Sequence, residues 1–359
     1  MQLRTPSHAP DAPVAPAWPP VSLVMPVLNE GAHLREAVGQ ILAQDYPGEL
    51  EVVLALGPSR DDTDAVAGRL SAADPRVRTV RNPSGRTPSA LNAAVAASRH
   101  PIVARVDGHA MIPRDYLRSA VEVLLQTGAD NVGGIMAAEG DRPFSCAVAR
   151  AMTSRLGVGS ARFHTGGEAG PALTVYLGVF RRSALERAGG YDESFLRAQD
   201  WELNHRIRAT GGLVYFTPRL RVSYRPRASL RALARQYFDY GRWRRAVMRR
   251  HTETVSLRYL APPAALVGVT GGTVAGLLGQ RKAYVLPAGY AALVAVGAAV
   301  TGRDLPPPAR ARLPLVYATM HLAWGLGFLT SPPRLGPVRR AARARVGWLI
   351  AGLLTRRLL

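Results

Sequence analysis

Two short stretches of this chain concentrate side chains able to handle charge. In Arg105-Val-Asp-Gly-His109, Asp107 and His109 flank a glycine directly after an apolar run. In extended or turn geometry such a pair can converge on one cation, because carboxylate and imidazole both ligate Mn²⁺ and similar ions. A surface turn is the ordinary reading of a lone D-x-H triplet; its place right after a buried strand favours the metal site. The second stretch, Ala198-Gln-Asp-Trp-Glu-Leu-Asn-His-Arg-Ile207, sets Asp200, Trp201 and Glu202 at a helix start. An Asp there can simply cap the helix. Glu202, two residues on, does not share its face, so Asp200 is the catalytic candidate and Glu202 the supporting one.

Positioning these acids requires a scaffold, and the first half of the chain predicts one. Strands are expected at 21–26, 51–56, 76–80 and 101–106, with helices at 32–42, 61–70 and 89–97 between them. Strand-helix alternation predicts an α/β fold with a mainly parallel sheet and flanking helices. Ligands then collect at the carboxyl ends of the strands, which selects Asn29 and Glu30, the 57–62 turn, and Asp107 with His109. No strand is followed by a dinucleotide-type or P-loop glycine pattern, which argues against both chemistries. Farther on, a strand is expected near 133–137, a helix at 145–156 with Cys146 on its apolar side, and a strand at 175–180. The glycine-rich 157–171 stretch, with His164 and Glu168, reads equally as a mobile loop or an ordinary connection.

The chain has 359 residues and a formal charge of +21. One cysteine excludes an internal disulfide and a cysteine-based metal cluster, leaving Cys146 as a small buried side chain. Residues 261–279, 283–300 and 313–330 are nearly free of charge and form three borderline membrane helices, since a span needs roughly 20 apolar residues. The last carries the strongest signal through its Leu, Trp and Phe content. Arginines gather beside these segments: Arg242, Arg244, Arg245, Arg249 and Arg250 before the first, Arg334, Arg339, Arg340, Arg343 and Arg345 after the last. That placement points to an anionic phospholipid surface and away from nucleic acid. Residues 229–256 alternate basic with aromatic and aliphatic groups, the pattern of a basic amphipathic interfacial helix; a helix packed on the catalytic core is the other reading. Residues 1–20, rich in proline, are expected to be a disordered tail. The remaining divisions are a 21–228 catalytic domain, a 257–332 membrane region and a 333–359 basic end.

Taken in order, Pro26-Val-Leu-Asn-Glu30, Arg105-Val-Asp-Gly-His-Ala110, Gln199-Asp200 and the degenerate Gln236 to Trp243 segment resemble the motifs of inverting family-2 glycosyltransferases. The similarity is greatest to the bacterial membrane-anchored branch with succinoglycan-type exopolysaccharide enzymes. It implies a GT-A-like domain, a nucleotide-diphosphate sugar donor bound around Pro26, Asn29, Glu30, Asp61 and Asp107, and Mn²⁺ or Mg²⁺ held by Asp107 and His109. Asp200 would be the base, with Trp201, Glu202, Gln236, Arg242 and Trp243 in acceptor or supporting roles. Trp201 either stacks on a sugar ring or is a buried aromatic. Leu56 stands where the family commonly carries a nucleotide-contacting Asp, and His109 where an Asp often lies, so donor identity is not carried over.

The resemblance implies transfer of a sugar to the hydroxyl of a membrane-held glycan or lipid, with inversion. A polyprenyl-phosphate sugar synthase is the alternative, and a non-catalytic membrane scaffold a third. The expected location is a bacterial-type inner or plasma membrane, multi-pass, with the catalytic domain cytoplasmic. A third full crossing would put the arginine-rich 334–345 tail outside, against the positive-inside tendency.

Overall fold

Val21–Val27 and Leu50–Leu56 are apolar nearly throughout, as strands covered on both faces must be. The computed structural model describes residues 18–108 and 110–336. In chain order, β1 (Val21–Val27), α1 (Leu34–Leu42), β2 (Leu50–Leu56), α2 (Thr63–Ala73), β3 (Val77–Arg81), α3 (Thr87–Ala97) and β4 (Ile102–Arg105) match the expected alternation. There follow α4 (Tyr116–Thr127), β5 (Asn131–Ala138), α5 (Pro143–Met152), α6 (Arg155–Val158), α7 (Arg162–Thr165), β6 (Gly170–Pro171) and β7 (Tyr176–Arg181). The remaining elements are α8 (Arg182–Ala188), α9 (Gln199–Ala209), β8 (Val214–Tyr224), α10 (Leu230–Arg250), α11 (Leu257–Leu277), α12 (Val285–Thr301), α13 (Pro307–Arg310) and α14 (Leu313–Leu329).

One eight-stranded sheet runs β3-β2-β1-β4-β7-β5-β8-β6. It is mixed, which corrects the expectation of a mainly parallel sheet. β1, β2, β3 and β4 are parallel, but β7 is antiparallel to both its neighbours, and β6 is antiparallel to β8. A buried apolar run reads the same in either direction, so the 175–180 stretch revealed a strand without its sense. The pleat sends Leu23 and Met25 toward α1, α2 and α4, and Val24 toward α3 and α9, giving a core on each face. The glycine-rich 157–171 stretch holds the end of α6, then α7 and β6, with β6 paired to β8. Cys146 is half-buried, its thiol donating to the Gly140 carbonyl at 3.2 Å.

The C-terminal helices divide into two kinds. Leu257–Leu277 and Arg281–Thr301 are long and apolar enough to cross a membrane, with only 17% and 11% of their apolar windows buried. The third apolar segment behaves differently. α14 has 17 residues, and Leu313, Val316, Tyr317, Met320 and Phe328 are buried in the protein. Glycines let its backbone meet α10: a Cβ on Gly327 would fall 2.0 Å from the Phe238 carbonyl oxygen, and one on Gly241 2.0 Å from that of Trp324. Gly327→Ala therefore forces the two backbones apart and is expected to cost about 1–3 kcal/mol, the usual penalty of overpacking. Thermal unfolding of the detergent-solubilised chain reads it, and an unchanged midpoint would count against this seam.

α10 begins at Ser229, whose Oγ accepts from Ala232 N, and its apolar side, Leu233, Tyr237, Trp243 and Val247, is buried in protein. Two of the clustered arginines have a structural task. Arg245 donates to the carbonyls of Phe328 and Leu329 at 2.9 and 2.8 Å, and Arg249 to those of Ser331 and Pro332 at 3.2 and 2.7 Å. Both thus satisfy carbonyls at and just beyond the end of α14, so the basic run is only partly left for a lipid surface. The expected tail (residues 1–17 of it), His109, and Arg339, Arg340, Arg343 and Arg345 lie outside the described residues.

Candidate active site

The carboxyl ends of β1, β2 and β4 lie side by side because the three strands are parallel and in register from Val21 opposite both Leu50 and Ile102. The loop after β1 is clasped to the loop after β2. Asn29 takes a left-handed φ of 55°, which asparagine tolerates better than most side chains. Its Oδ1 accepts from Arg60 N at 2.8 Å, and its own N–H donates to Ser59 Oγ at 3.0 Å. Thr63 Oγ1 accepts from Glu30 N at 2.8 Å. Asp61 accepts from Gly31 N at 3.1 Å and from the Thr63 hydroxyl at 2.5 Å. These bonds, that from Thr63 foremost, hold the Asp61 carboxyl below its ordinary pKa. Pro26 is a strand residue opposite Ala55, and Leu56 is buried.

β4 ends in a charged residue, Arg105, in an otherwise apolar strand, and that arginine organises the site. Its Nε donates to Asp107 Oδ1 at 2.9 Å and its Nη2 to Oδ2 at 3.3 Å, a fork on one carboxylate. Its Nη1 donates to Asp200 Oδ1 across the cleft. One buried guanidinium thus joins the two acids selected from separate motifs. Burial works against the Arg105 charge, but Asp107 and Asp200 overcome it and raise its pKa well above the ordinary value. Asp107 and Asp200 stay in contact with water, their side chains 22% and 37% exposed. Glu30 completes the acidic side: a Cβ on Gly108 would fall 3.0 Å from Glu30 Cγ.

Asp200 is the second residue of α9 rather than its cap, and the preceding Ala198 sits at φ 59°. A left-handed alanine costs roughly 1–3 kcal/mol, strain of the kind concentrated at functional sites. Desolvation and then the Asp107 charge raise the Asp200 pKa, while Arg105 opposes the rise. The buried Tyr191 hydroxyl lies beside Arg105 and in the field of Asp200. Sequence reasoning missed both Arg105 and Tyr191; a lone arginine closing an apolar strand was the available signal for the first.

The other candidates lie on α9 and α10. Trp201 is buried, with Arg244 4.4 Å above its ring and His205 stacked at 5.7 Å. Glu202 is 1% exposed and held by Arg206 at 2.7 and 2.8 Å and by His251 at 3.2 Å. Burial would raise its pKa, but these partners prevail and lower it. Gln236 donates to the Tyr224 and Tyr240 hydroxyls at 3.0 and 2.8 Å. Arg242 lies 5.5 Å from the Phe238 ring centre, and Trp243 packs with Phe195, Trp201 and Val247.

A family model described as "Glycosyl transferase family 2" matches residues 22–189. The chain is 34% identical over 312 residues to "Succinoglycan biosynthesis protein ExoA" of Rhizobium meliloti (strain 1021), covering 85% of this chain and 93% of that protein. It is 35% identical over 126 residues to "Beta-monoglucosyldiacylglycerol synthase" of Synechocystis sp., covering 33% of this chain and 26% of that one. Among solved structures, the mannosyltransferase PcManGT from Pyrobaculum calidifontis, in complex with GDP-Man and Mn²⁺, superposes with a TM-score of 0.60. Sequence identity is 23%, with 89% of this chain and 90% of that one covered. The structural likeness bears on the fold, which is GT-A-like.

Proposed function

The chain belongs to the family-2 glycosyltransferases, and from that premise we propose that it transfers a sugar from a nucleotide-diphosphate donor to the hydroxyl of a membrane-held glycan or lipid, with inversion. The observation that carries this reading is the bridge from Asp107 through Arg105 to Asp200 at the carboxyl ends of the strands. Asp200 takes the proton from the acceptor hydroxyl. The acceptor oxygen forms the new bond to the anomeric carbon as the bond to the diphosphate breaks on the opposite face. Arg105 engages Oδ1 of Asp200, and among the described residues no donor engages Oδ2, which leaves that oxygen for the acceptor.

The Asp107 carboxylate, 22% exposed and with lone pairs beyond the two taken by Arg105, suits a hard divalent cation, Mg²⁺ or Mn²⁺. Asp107 would hold it, with His109 as the second ligand that the D-x-H motif supplies. When bound, such an ion neutralises charge on the departing diphosphate. Asn29, Glu30 and Asp61 form the nucleotide side of the cleft. Asp61 acts there by tying the two loops together, since it already accepts from Gly31 and Thr63.

α11 and α12 supply the membrane anchor, with Leu257, Leu277, Leu278 and Val285 exposed along them. Two crossings would return the chain to its starting side, a reading supported by the close packing of α14 on α10. The catalytic domain, the basic 303–312 connection and Arg334 then share the cytoplasmic face, in line with the positive-inside tendency. This arrangement holds the cleft near a lipid-linked acceptor.

The test is Asp107→Asn, which removes the charge that would hold the cation with little change in volume. Transfer is expected to fall at least about tenfold with the fold retained, because even outer changes at metal sites cost roughly 10–100-fold. Full activity with unchanged metal dependence would remove Asp107 from the site.

A further inference from the structure

Farther along α9, beyond Asp200, a second set of ligating side chains meets at the junction with the first apolar helix. His205 Nε2 is 2.8 Å from Glu253 Oε1, and His251 Nδ1 is 3.7 Å from the same oxygen. The two imidazole rings are 4.5 Å apart. One ligand atom from each of the three residues lies within 4.8 Å of the others. We propose that His205, His251 and Glu253 form a binding site for a divalent transition-metal ion of the zinc class, separate from the Asp107 site.

The chemistry of the donor set selects the ion. Two imidazoles and a carboxylate suit Zn²⁺, whereas Mg²⁺ prefers oxygen ligands throughout. Tetrahedral zinc with bonds of about 2.0–2.1 Å places its ligands roughly 3.3 Å apart; the 2.8 and 3.7 Å separations bracket that value, and the two imidazole nitrogens, within 4.8 Å of each other, would draw together on the ion.

The surroundings of His251 give the second observation. Its Nε2 lies 3.2 Å from Glu202 Oε1, and Glu202 is buried and clamped by Arg206. An ionised carboxylate only accepts, so a neutral His251 that donates from Nε2 to Glu202 turns its Nδ1 lone pair toward Glu253. A carboxylate that fixes the tautomer and orientation of a ligating histidine is the usual outer support of such metals. Glu253 is 60% exposed, which leaves room for water as a fourth ligand. The ligands come from α9, from the residue ending α10, and from the 3-10 turn Thr252–Thr254 just before α11. The ion therefore ties the helix bearing Asp200 to the entry of the first membrane-length helix. This inference stands independently of the transfer reaction.

The test uses tag-free, full-length protein in detergent, stripped with a chelator and titrated with Zn²⁺ and Co²⁺. In the Asp107→Asn background one equivalent per chain is expected, with the strong visible bands of tetrahedral Co²⁺, and the same bands are expected in the wild type. His205→Ala and His251→Ala are expected to abolish these bands. Glu202→Gln is expected to weaken binding by about 10–100-fold. Because the histidine variants could disturb packing, Glu253→Gln serves as a surface control, expected to weaken binding at least about tenfold while the metal-free unfolding midpoint stays put. Absence of stoichiometric binding, equal binding by the variants, or displacement of Co²⁺ by Mg²⁺ would overturn the proposal.

Discussion

Asp200→Asn is expected to bind donor and cation like the wild type while turning over roughly 10²- to 10⁴-fold more slowly, the usual contribution of a positioned base. The substitution keeps the size of the side chain and an oxygen to accept from Arg105, so the loss falls on proton transfer. Calorimetric donor binding beside steady-state turnover separates the two effects. The pH profile adds an independent readout. Desolvation, followed by the Asp107 charge, raises the Asp200 pKa, and the base works only when deprotonated. Activity should therefore rise with pH through a value above that of an ordinary aspartate, and this limb should vanish in the variant. Near-normal turnover on a hydroxyl acceptor would end the base assignment. Activity confined to a phosphate acceptor, whose oxygen needs no deprotonation, would favour a polyprenyl-phosphate sugar synthase.

Arg105→Met should be the most damaging change to stability in the cleft. The guanidinium is buried and serves two carboxylates at once. Removing one partner of a buried ion pair typically costs about 3–5 kcal/mol, because the remaining charges lose their compensation. The partial exposure of Asp107 and Asp200 places the expected loss toward the lower end of that range. Adding Asp107→Asn and Asp200→Asn to the Arg105 variant should restore much of the stability, and a multiple-mutant cycle measures the coupling. If Arg105→Met unfolds at the wild-type midpoint, the bridge is not what holds the acids together.

The sequence displayed the scaffold wherever local signals were strong. The apolar runs at 21–27, 50–56 and 102–105 and the helices between them appear within a few residues of expectation. Asp107 and Asp200 could be selected because one follows a strand and the other opens a helix. Their meeting through Arg105 could not be read, since it depends on β4 and α9 converging from opposite ends of the domain. The direction of β7 was hidden for a related reason: burial sets composition, and pairing sets sense. α14 divides its apolar residues, Leu313, Val316, Tyr317, Met320 and Phe328 facing other parts of the protein while Leu315, Leu326 and Leu329 stay exposed, and composition does not distinguish the two environments. Gly241 and Gly327, which permit the contact with α10, were the available clue.

The central claim is that this chain moves a sugar from a nucleotide donor to a membrane-held acceptor. The most direct measurement presents labelled nucleotide sugars one at a time to the full-length protein with native lipid extract and a divalent cation. It reads both label transferred to the lipid fraction and the anomeric configuration of the product. Transfer from a specific donor with the anomeric configuration inverted is the expected result; no transfer from any donor, or a product that keeps the donor's configuration, would contradict the account.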